Sequence, residues 1–286
     1  MMMAPEYYVW RSGKIPDHVT HVLIDRTMFV PRRAFCEHPN IQEVICYDGV
    51  KKIGRLAFYK CPRLQRVIMP GVKVIAKSAF NECRALNYVE CSKLEIIGGW
   101  AFGSCRLSSV DLPSIKTVEK NAFYGCWNLT NAKFGKDLES IGEWAFKHCS
   151  SLERITLPLK NDVITNNNTF QGCVKLEHVD LVEKVHEVIA ALNFEERKTD
   201  LSNKLDSINH ILASVKVGGK TQAIRVWMKT VLRKISHYAN EHRHCLNVAA
   251  AALQPALTND ILFKSIFPFI ELPHTRLTKR TKRNLH

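Results

Sequence analysis

The sequence lacks several features that define common classes of protein. No run approaches the roughly 18 consecutive apolar residues of a membrane-spanning helix, so we expect no membrane insertion. The amino terminus carries no apolar segment typical of a secretory signal. HExxH, GxSxG and CxxC motifs are all absent from the chain. The sequence therefore predicts no catalytic site, no metal site and no cofactor, and we expect a protein that is not an enzyme.

One short segment resembles part of a nucleotide-binding motif. Gly219-Lys220-Thr221 matches the end of a phosphate-binding P-loop, but Ser214 stands where the motif requires its first glycine. A helical pattern, rather than a strand, precedes the segment. We therefore predict no nucleotide binding.

The composition is that of a folded, basic protein. The 286 residues include 46% hydrophobic residues, ten cysteines and a formal net charge of +14. This apolar fraction is ample for a buried core. Ten cysteines without a secretory signal indicate reduced thiols, so we expect a cytoplasmic or nuclear location.

An internal repeat dominates the first two thirds of the chain. An Ala-Phe pair occurs six times and a Thr-Phe pair follows as a seventh copy, and successive phenylalanines follow at steps of 23, 22, 22, 21, 23 and 24 positions. A cysteine stands three residues after the phenylalanine in six of the seven copies, and His38 takes that place in the first. Such a regular period is typical of a solenoid.

Each repeat also contains a short strand. Alternating apolar and polar residues, closed in several copies by proline, predict eight strands. Leu107 arrives one residue earlier than the equivalent leucines, which accounts for the 21-residue interval. The predicted strand centres are Val22, Val44, Val67, Val89, Val110, Ala132, Ile155 and Val179.

The pattern Ala-Phe-x-x-Cys-x-x-Leu-x-x-Val-x-Leu-Pro resembles the BspA-like leucine-rich repeats over roughly residues 19–181. The resemblance implies a right-handed coil of short parallel strands and a role in protein interaction or adhesion, with no catalytic residues. We interpret the repeated cysteines as small buried hydrophobes with a weak donor, rather than as disulfides or a string of metal ligands.

The whole chain is thus predicted to be an α/β repeat solenoid followed by an all-α antiparallel helical hairpin. We divide it into a lead-in (1–18), the solenoid (19–181), the hairpin with a short third helix (182–273) and a basic disordered tail (274–286). Apolar residues at helical spacing lie on both sides of a break at Gly218-Gly219, and Lys198-Thr199-Asp200 is a candidate kink or restart in the first helix.

The hairpin is expected to cap the last coil, since a solenoid end exposes apolar surface and a strand edge. Its first turns, around Val185, Val188 and Ile189, are the expected contact. Whether the hairpin also binds a second copy of the chain is left open by the sequence.

The outward residues of the predicted strands form a candidate protein-binding face. Neither sign of charge runs continuously along it, which favours a protein partner over nucleic acid. Trp100 and Trp144 are either exposed anchors or side chains packed over neighbouring coils. The face residues are Glu43, Arg66, Tyr88, Glu90, Asp111, Lys133, Arg154 and His178.

The positive charge suggests a second hypothesis, a nucleic-acid-associated protein. The tail carries five basic residues in its last eleven, and the second helix has a basic stripe at four-residue spacing. The alternative for the stripe is an ordinary exposed helix face. An exported surface adhesin is the third hypothesis. The basic candidates are Arg225, Lys229 and Arg233 in the stripe and Arg276, Lys279, Arg280, Lys282 and Arg283 in the tail.

Overall fold

The computed structural model describes residues 6–182 and 195–253. Within these ranges the repeats form fifteen short strands, all paired in parallel. In chain order they are β1 (Tyr8–Trp10), β2 (His21–Ile24), β3 (Phe29–Val30), β4 (Glu43–Cys46), β5 (Lys52–Ile53), β6 (Arg66–Ile68), β7 (Val74–Ile75), β8 (Tyr88–Glu90), β9 (Ile96–Ile97), β10 (Ser109–Leu112), β11 (Thr117–Val118), β12 (Asn131–Phe134), β13 (Ser140–Ile141), β14 (Arg154–Leu157) and β15 (His178–Leu181).

Two rows of strands build the solenoid. The longer strands form the sheets β1-β2-β4-β6-β8 and β10-β12-β14-β15, whose outward surface we call the strand face. The two-residue strands form a second sheet in the order β13-β11-β9-β7-β5-β3. The predicted strand centres are confirmed, because Val22, Val44, Val67 and Val89 are Cα partners in turn. Strand β1 adds a neighbour that the sequence did not predict, in the expected lead-in.

Phenylalanine and cysteine hold successive coils together. We number coils 1–7 by Phe35, Phe58, Phe80, Phe102, Phe123, Phe146 and Phe170. Neighbouring rings stack with centroids 4.6–5.6 Å apart. Each of the six repeat cysteines donates its thiol to the phenylalanine carbonyl of the preceding coil, at 2.9–3.2 Å. The repeat cysteines are therefore buried donors in the core, as predicted.

His38 performs the same task in coil 1. Its Nε2 lies 3.2 Å from the carbonyl oxygen of Pro16, and its Nδ1 lies 3.3 Å from the amide nitrogen of Ile41. These contacts fit a ring that donates through Nε2 and accepts at Nδ1. A histidine can thus replace the thiol without losing the link to the lead-in.

In coils 1–6 the backbone passes twice through the left-handed region. One such residue precedes the Ala-Phe pair, as at Leu56 (φ 58°) and Trp144 (φ 57°), and another precedes the cysteine, as at Lys60 (φ 55°). Of these positions, only Gly125 and Gly172 are glycines with positive φ. The strain is offset by bonds to the next coil, since Leu56 donates its amide to Lys77 and Lys60 to Asn81.

Two helices follow the solenoid, α1 (Glu195–Ser214) and α2 (Lys220–Leu253), with a 3-10 turn (Val217–Gly219) between them. The break predicted at Gly218-Gly219 is confirmed. Of the kink or restart predicted at Lys198-Thr199-Asp200, the restart is wrong, because α1 is continuous through these residues. The predicted cap around Val185, Val188 and Ile189, the third helix and the basic tail lie outside the described residues.

The described residues form two compact units, the solenoid with residues 204–229 and a smaller unit from 195–203 and 230–253. In the smaller unit, Asp200 accepts hydrogen bonds from Lys234 at 2.6 Å and from Tyr238 at 2.5 Å. The bond to Asp200 raises the pKa of Tyr238 to about 12. Polar contacts as well as the buried Leu201 and Val231 therefore join the two helices there.

Candidate functional site

All eight predicted face residues lie on the strand face and none is buried. On coils 1–3 four of them form a connected cluster. Arg66 pairs with Glu43 at 3.1 Å, and its guanidinium lies 4.5 Å from the ring centroid of Tyr88. The Tyr88 hydroxyl donates to Glu90 at 3.2 Å. Glu43, Arg66 and Tyr88 thus contact one another across successive coils, and Glu90 contacts Tyr88 within β8, an arrangement that favours a pre-formed cluster.

A second group of charges occupies coils 4–7. Lys133 lies 3.5 Å from Asp111, and Arg154 lies 2.8 Å from Asp180. His178 is half-buried and is the Cα partner of Arg154. Opposite charges on neighbouring strands therefore compensate each other, which agrees with a face of mixed charge.

The strand face is interrupted between the two groups, and we call this interruption the seam. Strand β8 pairs with β6 and β10 pairs with β12, but β8 and β10, both fully described, are not paired. Just before them, Arg106 donates its amide to Leu86 at 2.9 Å. Val89 is consequently half-buried, whereas the equivalent Val67 is fully buried.

The seam follows from the short fourth interval. Leu107 comes two residues after Cys105, whereas Leu86 comes three residues after Cys83. The missing residue shifts the following strand, while β9 and β11 of the second sheet stay paired. Backbone groups of β8 and β10 that would face each other in a regular coil are thus not joined by ladder hydrogen bonds.

Trp100 and Trp144 are both half-buried and pack over neighbouring coils. The Trp100 ring lies 4.8 Å from that of Tyr124, between centroids. The Trp144 ring has the ammonium groups of Lys120 and Lys147 at 4.2 and 5.0 Å from its centroid. Each ring therefore has intramolecular partners, as one of the two alternatives expected.

The structure places two members of the predicted basic stripe against the solenoid. Arg225 donates to the Asn167 side chain, and Lys229 lies 4.0 Å from Asp162. A cavity beside them holds about 10 Å³, enough for one water molecule. Arg233 is exposed on α2. The five basic residues of the tail lie outside the described part of the chain.

The start of α2 closes the last coil. Thr221 accepts a hydrogen bond from the amide of Phe170 at 3.0 Å, in the place of the carbonyl that a further coil would supply. The Lys220 ammonium donates to the carbonyls of Val174 and Leu176 at 2.9 and 2.6 Å. On α1, Asn209 accepts from the amide of Val179 at 3.3 Å.

These contacts explain the segment that resembles a P-loop. Lys220 and Thr221 are 4% and 2% exposed, so their polar groups serve the solenoid rather than a phosphate. Burial lowers the pKa of Lys220. Sequence reasoning noticed these residues but not their role, since nothing in the local pattern says which coil they meet.

The buried thiols have no features of reactive groups. Burial raises the pKa of the Cys46, Cys91 and Cys173 thiols to about 12. Of the ten free cysteines, Cys245 is exposed and Cys36 is half-buried. Across the described ranges, no group of three or more histidine, cysteine or acidic side chains is placed to bind a metal. None of the described helices combines the length and the hydrophobicity that a bilayer crossing requires.

Sequence reasoning overlooked the surface of the second sheet. Phe29 is 57% exposed there and is the Cα partner of Lys52 in the next coil. Two-residue strands give no alternation, so their outward side chains could not be assigned from periodicity. Trp127, which follows the repeat cysteine of coil 5, is 56% exposed and was also overlooked.

The fold defines a parallel-strand solenoid of the leucine-rich-repeat class. The chain matches the model of the BspA type leucine-rich repeat region, in six copies, over residues 19–126 and 73–199. It therefore belongs to this family, whose members are typically non-enzymatic and commonly act in protein interaction or surface adhesion. None of the curated proteins compared with the chain matches it.

Solved structures of bacterial leucine-rich-repeat proteins are similar to part of the chain. The T. pallidum protein TpLRR is 24% identical with a TM-score of 0.39, and the match covers 61% of this chain and 68% of that one. A protein from Bacteroides ovatus is 21% identical with a TM-score of 0.32, covering 59% and 68%. The pneumococcal vaccine antigen PcpA is 14% identical with a TM-score of 0.30, covering 62% and 71%.

Proposed function

We propose that this chain is a non-enzymatic interaction module that binds a protein partner through its strand face. The observation that carries the proposal is the seam, where β8 and β10 lack ladder hydrogen bonds beside the connected side chains of Arg66, Tyr88 and Glu90. Tyrosine and arginine are enriched among residues that dominate binding energy. Edge groups of β8 and β10 can bind the backbone of a partner segment.

The hairpin serves this function by closing the solenoid. Its contacts at Phe170, Val174 and Leu176 satisfy backbone groups that a missing eighth coil would otherwise leave open. Self-association through the hairpin is a separate proposal. Its test is the mass of the chain in solution, where a dimer disrupted by changes on α2 would support it.

We place the module in the cytoplasm or the nucleus. Ten free cysteines, eight of them buried as reduced thiols, support an environment that keeps thiols reduced. Thiol titration of the protein isolated from its native cell, after denaturation, should count ten. Disulfides found in that material would favour the exported adhesin instead.

The main test is a comparison of partners recovered by affinity purification from the native cell, followed by mass spectrometry. The first variant reverses the charges of Arg66, Glu90 and Arg154 on the strand face. Its control reverses Arg63, Lys136 and Asp137, which are also exposed and change the net charge equally. The partner should be lost with the first variant and kept with the second. Equal recovery with both would rule out the strand face.

A second test closes the seam. Inserting one serine after Arg106 restores the usual three-residue step from Cys105 to its leucine. Strands β8 and β10 should then pair, which slows amide hydrogen exchange around Val89 and removes partner binding. Binding that persists after the exchange has slowed would show that the seam is not the binding site.

A further inference from the structure

A cluster of positive charge covers the second-sheet side of coils 1–3. The three equivalent segments 28–35, 51–58 and 73–80 contain seven basic and no acidic residues. The equivalent segments of coils 4–6 (95–102, 116–123 and 139–146) contain two basic and four acidic residues. The positive charge is therefore concentrated at one end of the second sheet.

The fold aligns these cations in a row. Strands β3, β5 and β7 are paired in register, and Arg32, Arg55 and Lys77 each lie two residues after their strand. Neighbouring strands lie about 4.8 Å apart, so the three positions span roughly 10 Å. All three side chains are exposed, as are Arg33 and Lys52. We call these five residues the basic patch.

The patch is not neutralised by the protein itself. Among the described residues, none of its five members forms an ion pair. On the coils that follow, lysine side chains form ion pairs with glutamates: Lys116 pairs with Glu95 at 2.7 Å, and Lys120 pairs with Glu143 at 2.6 Å. Five uncompensated cations on one small surface attract a ligand with closely spaced negative charges.

An exposed aromatic ring adjoins the patch. Phe29 is 57% exposed and faces outward beside Lys52. A row of cations with an adjacent aromatic ring is the combination that binds single strands, since phosphates meet the cations and an unpaired base stacks on the ring. We infer that the basic patch binds single-stranded nucleic acid. This site is independent of the strand face and of the protein partner proposed there.

The experiment measures binding of a fluorescently labelled oligothymidine of about twelve nucleotides to the full chain by anisotropy. The patch variant carries Arg32→Gln, Arg55→Gln and Lys77→Gln. The control variant carries Arg63→Gln, Arg106→Gln and Lys175→Gln, which remove the same charge from exposed positions elsewhere. Both keep the tail, so its contribution is common to them.

The patch variant should bind about tenfold or more weakly at low salt, and its slope of log affinity against log salt should be about 2 smaller. The control should bind like the unmodified chain. Phe29→Ser should weaken oligothymidine binding about fivefold or more but leave binding of a sulfated oligosaccharide unchanged. Equal binding by patch and control variants would overturn the inference. So would a chain that binds the sulfated oligosaccharide through the patch but not oligothymidine.

Discussion

Replacing Thr221 by valine tests whether the hairpin continues the solenoid's hydrogen-bond ladder. In coils 1–6 the phenylalanine amide donates to the next coil at 2.7–3.0 Å. In coil 7 the acceptor is the Thr221 hydroxyl, at 3.0 Å. Valine has nearly the same shape but no acceptor, so the Phe170 amide would be left buried without a partner.

The magnitude follows from the burial of the site. Thr221 is 2% exposed, so water cannot easily replace the hydroxyl. A buried donor without a partner costs about 1–3 kcal/mol. Thr221→Ser is the control, because it keeps the hydroxyl and loses only a methyl group, at a cost of about 0.8 kcal/mol.

Guanidinium denaturation gives the free energy of unfolding of the three proteins, and hydrogen exchange locates the change. The valine variant should be the least stable, and its faster exchange should be concentrated in coil 7. A loss of 1.4 kcal/mol corresponds to a tenfold change in the equilibrium constant. A valine variant as stable as the serine variant would refute the proposed continuation of the ladder.

Three further predictions address the cap, the thiols and the turns. Lys220→Met should destabilise the protein by about 2 kcal/mol in denaturation experiments, because the carbonyls of Val174 and Leu176 lose their donor. Stability should fall as pH rises from about 9 towards 12, because burial holds the pKa of the Cys46, Cys91 and Cys173 thiols at about 12 in the folded chain, whereas unfolded thiols ionise near 9. Denaturation midpoints measured at neutral and alkaline pH test this. Gly125→Ala should cost about 1 kcal/mol at its φ of 66°, whereas Ser104→Gly at 58° should not destabilise the fold.

The strand face could be predicted from the sequence because its residues repeat in both spacing and type. A phenylalanine, a cysteine and a leucine at fixed offsets place each strand centre, and every partner of Val44 or Ile155 follows from the register. The second sheet could not be predicted, since strands such as Val74–Ile75 are too short to alternate.

The left-handed turns could not be predicted from the sequence for a different reason. Glycine normally marks such backbone, but here leucine, tryptophan and lysine adopt it. The cost of roughly 1–2 kcal/mol at each position is offset by bonds between coils. These bonds are visible only once the coils are stacked, so single repeats carry no signal for them.

The cap and the seam show how far local pattern determines a solenoid. At Thr221 the chain has left the repeat, yet its hydroxyl supplies the acceptor that the next coil would have supplied. At Leu107 the chain is still within the repeat, yet one missing residue separates β8 from β10. The ladder therefore depends on where acceptors lie rather than on the repeat itself. At the cap the ladder continues without the repeat, whereas at the seam the repeat continues without the ladder. The proposed partner is therefore to be sought at the seam, where β8 and β10 lack ladder hydrogen bonds, rather than at the cap or in a regular coil.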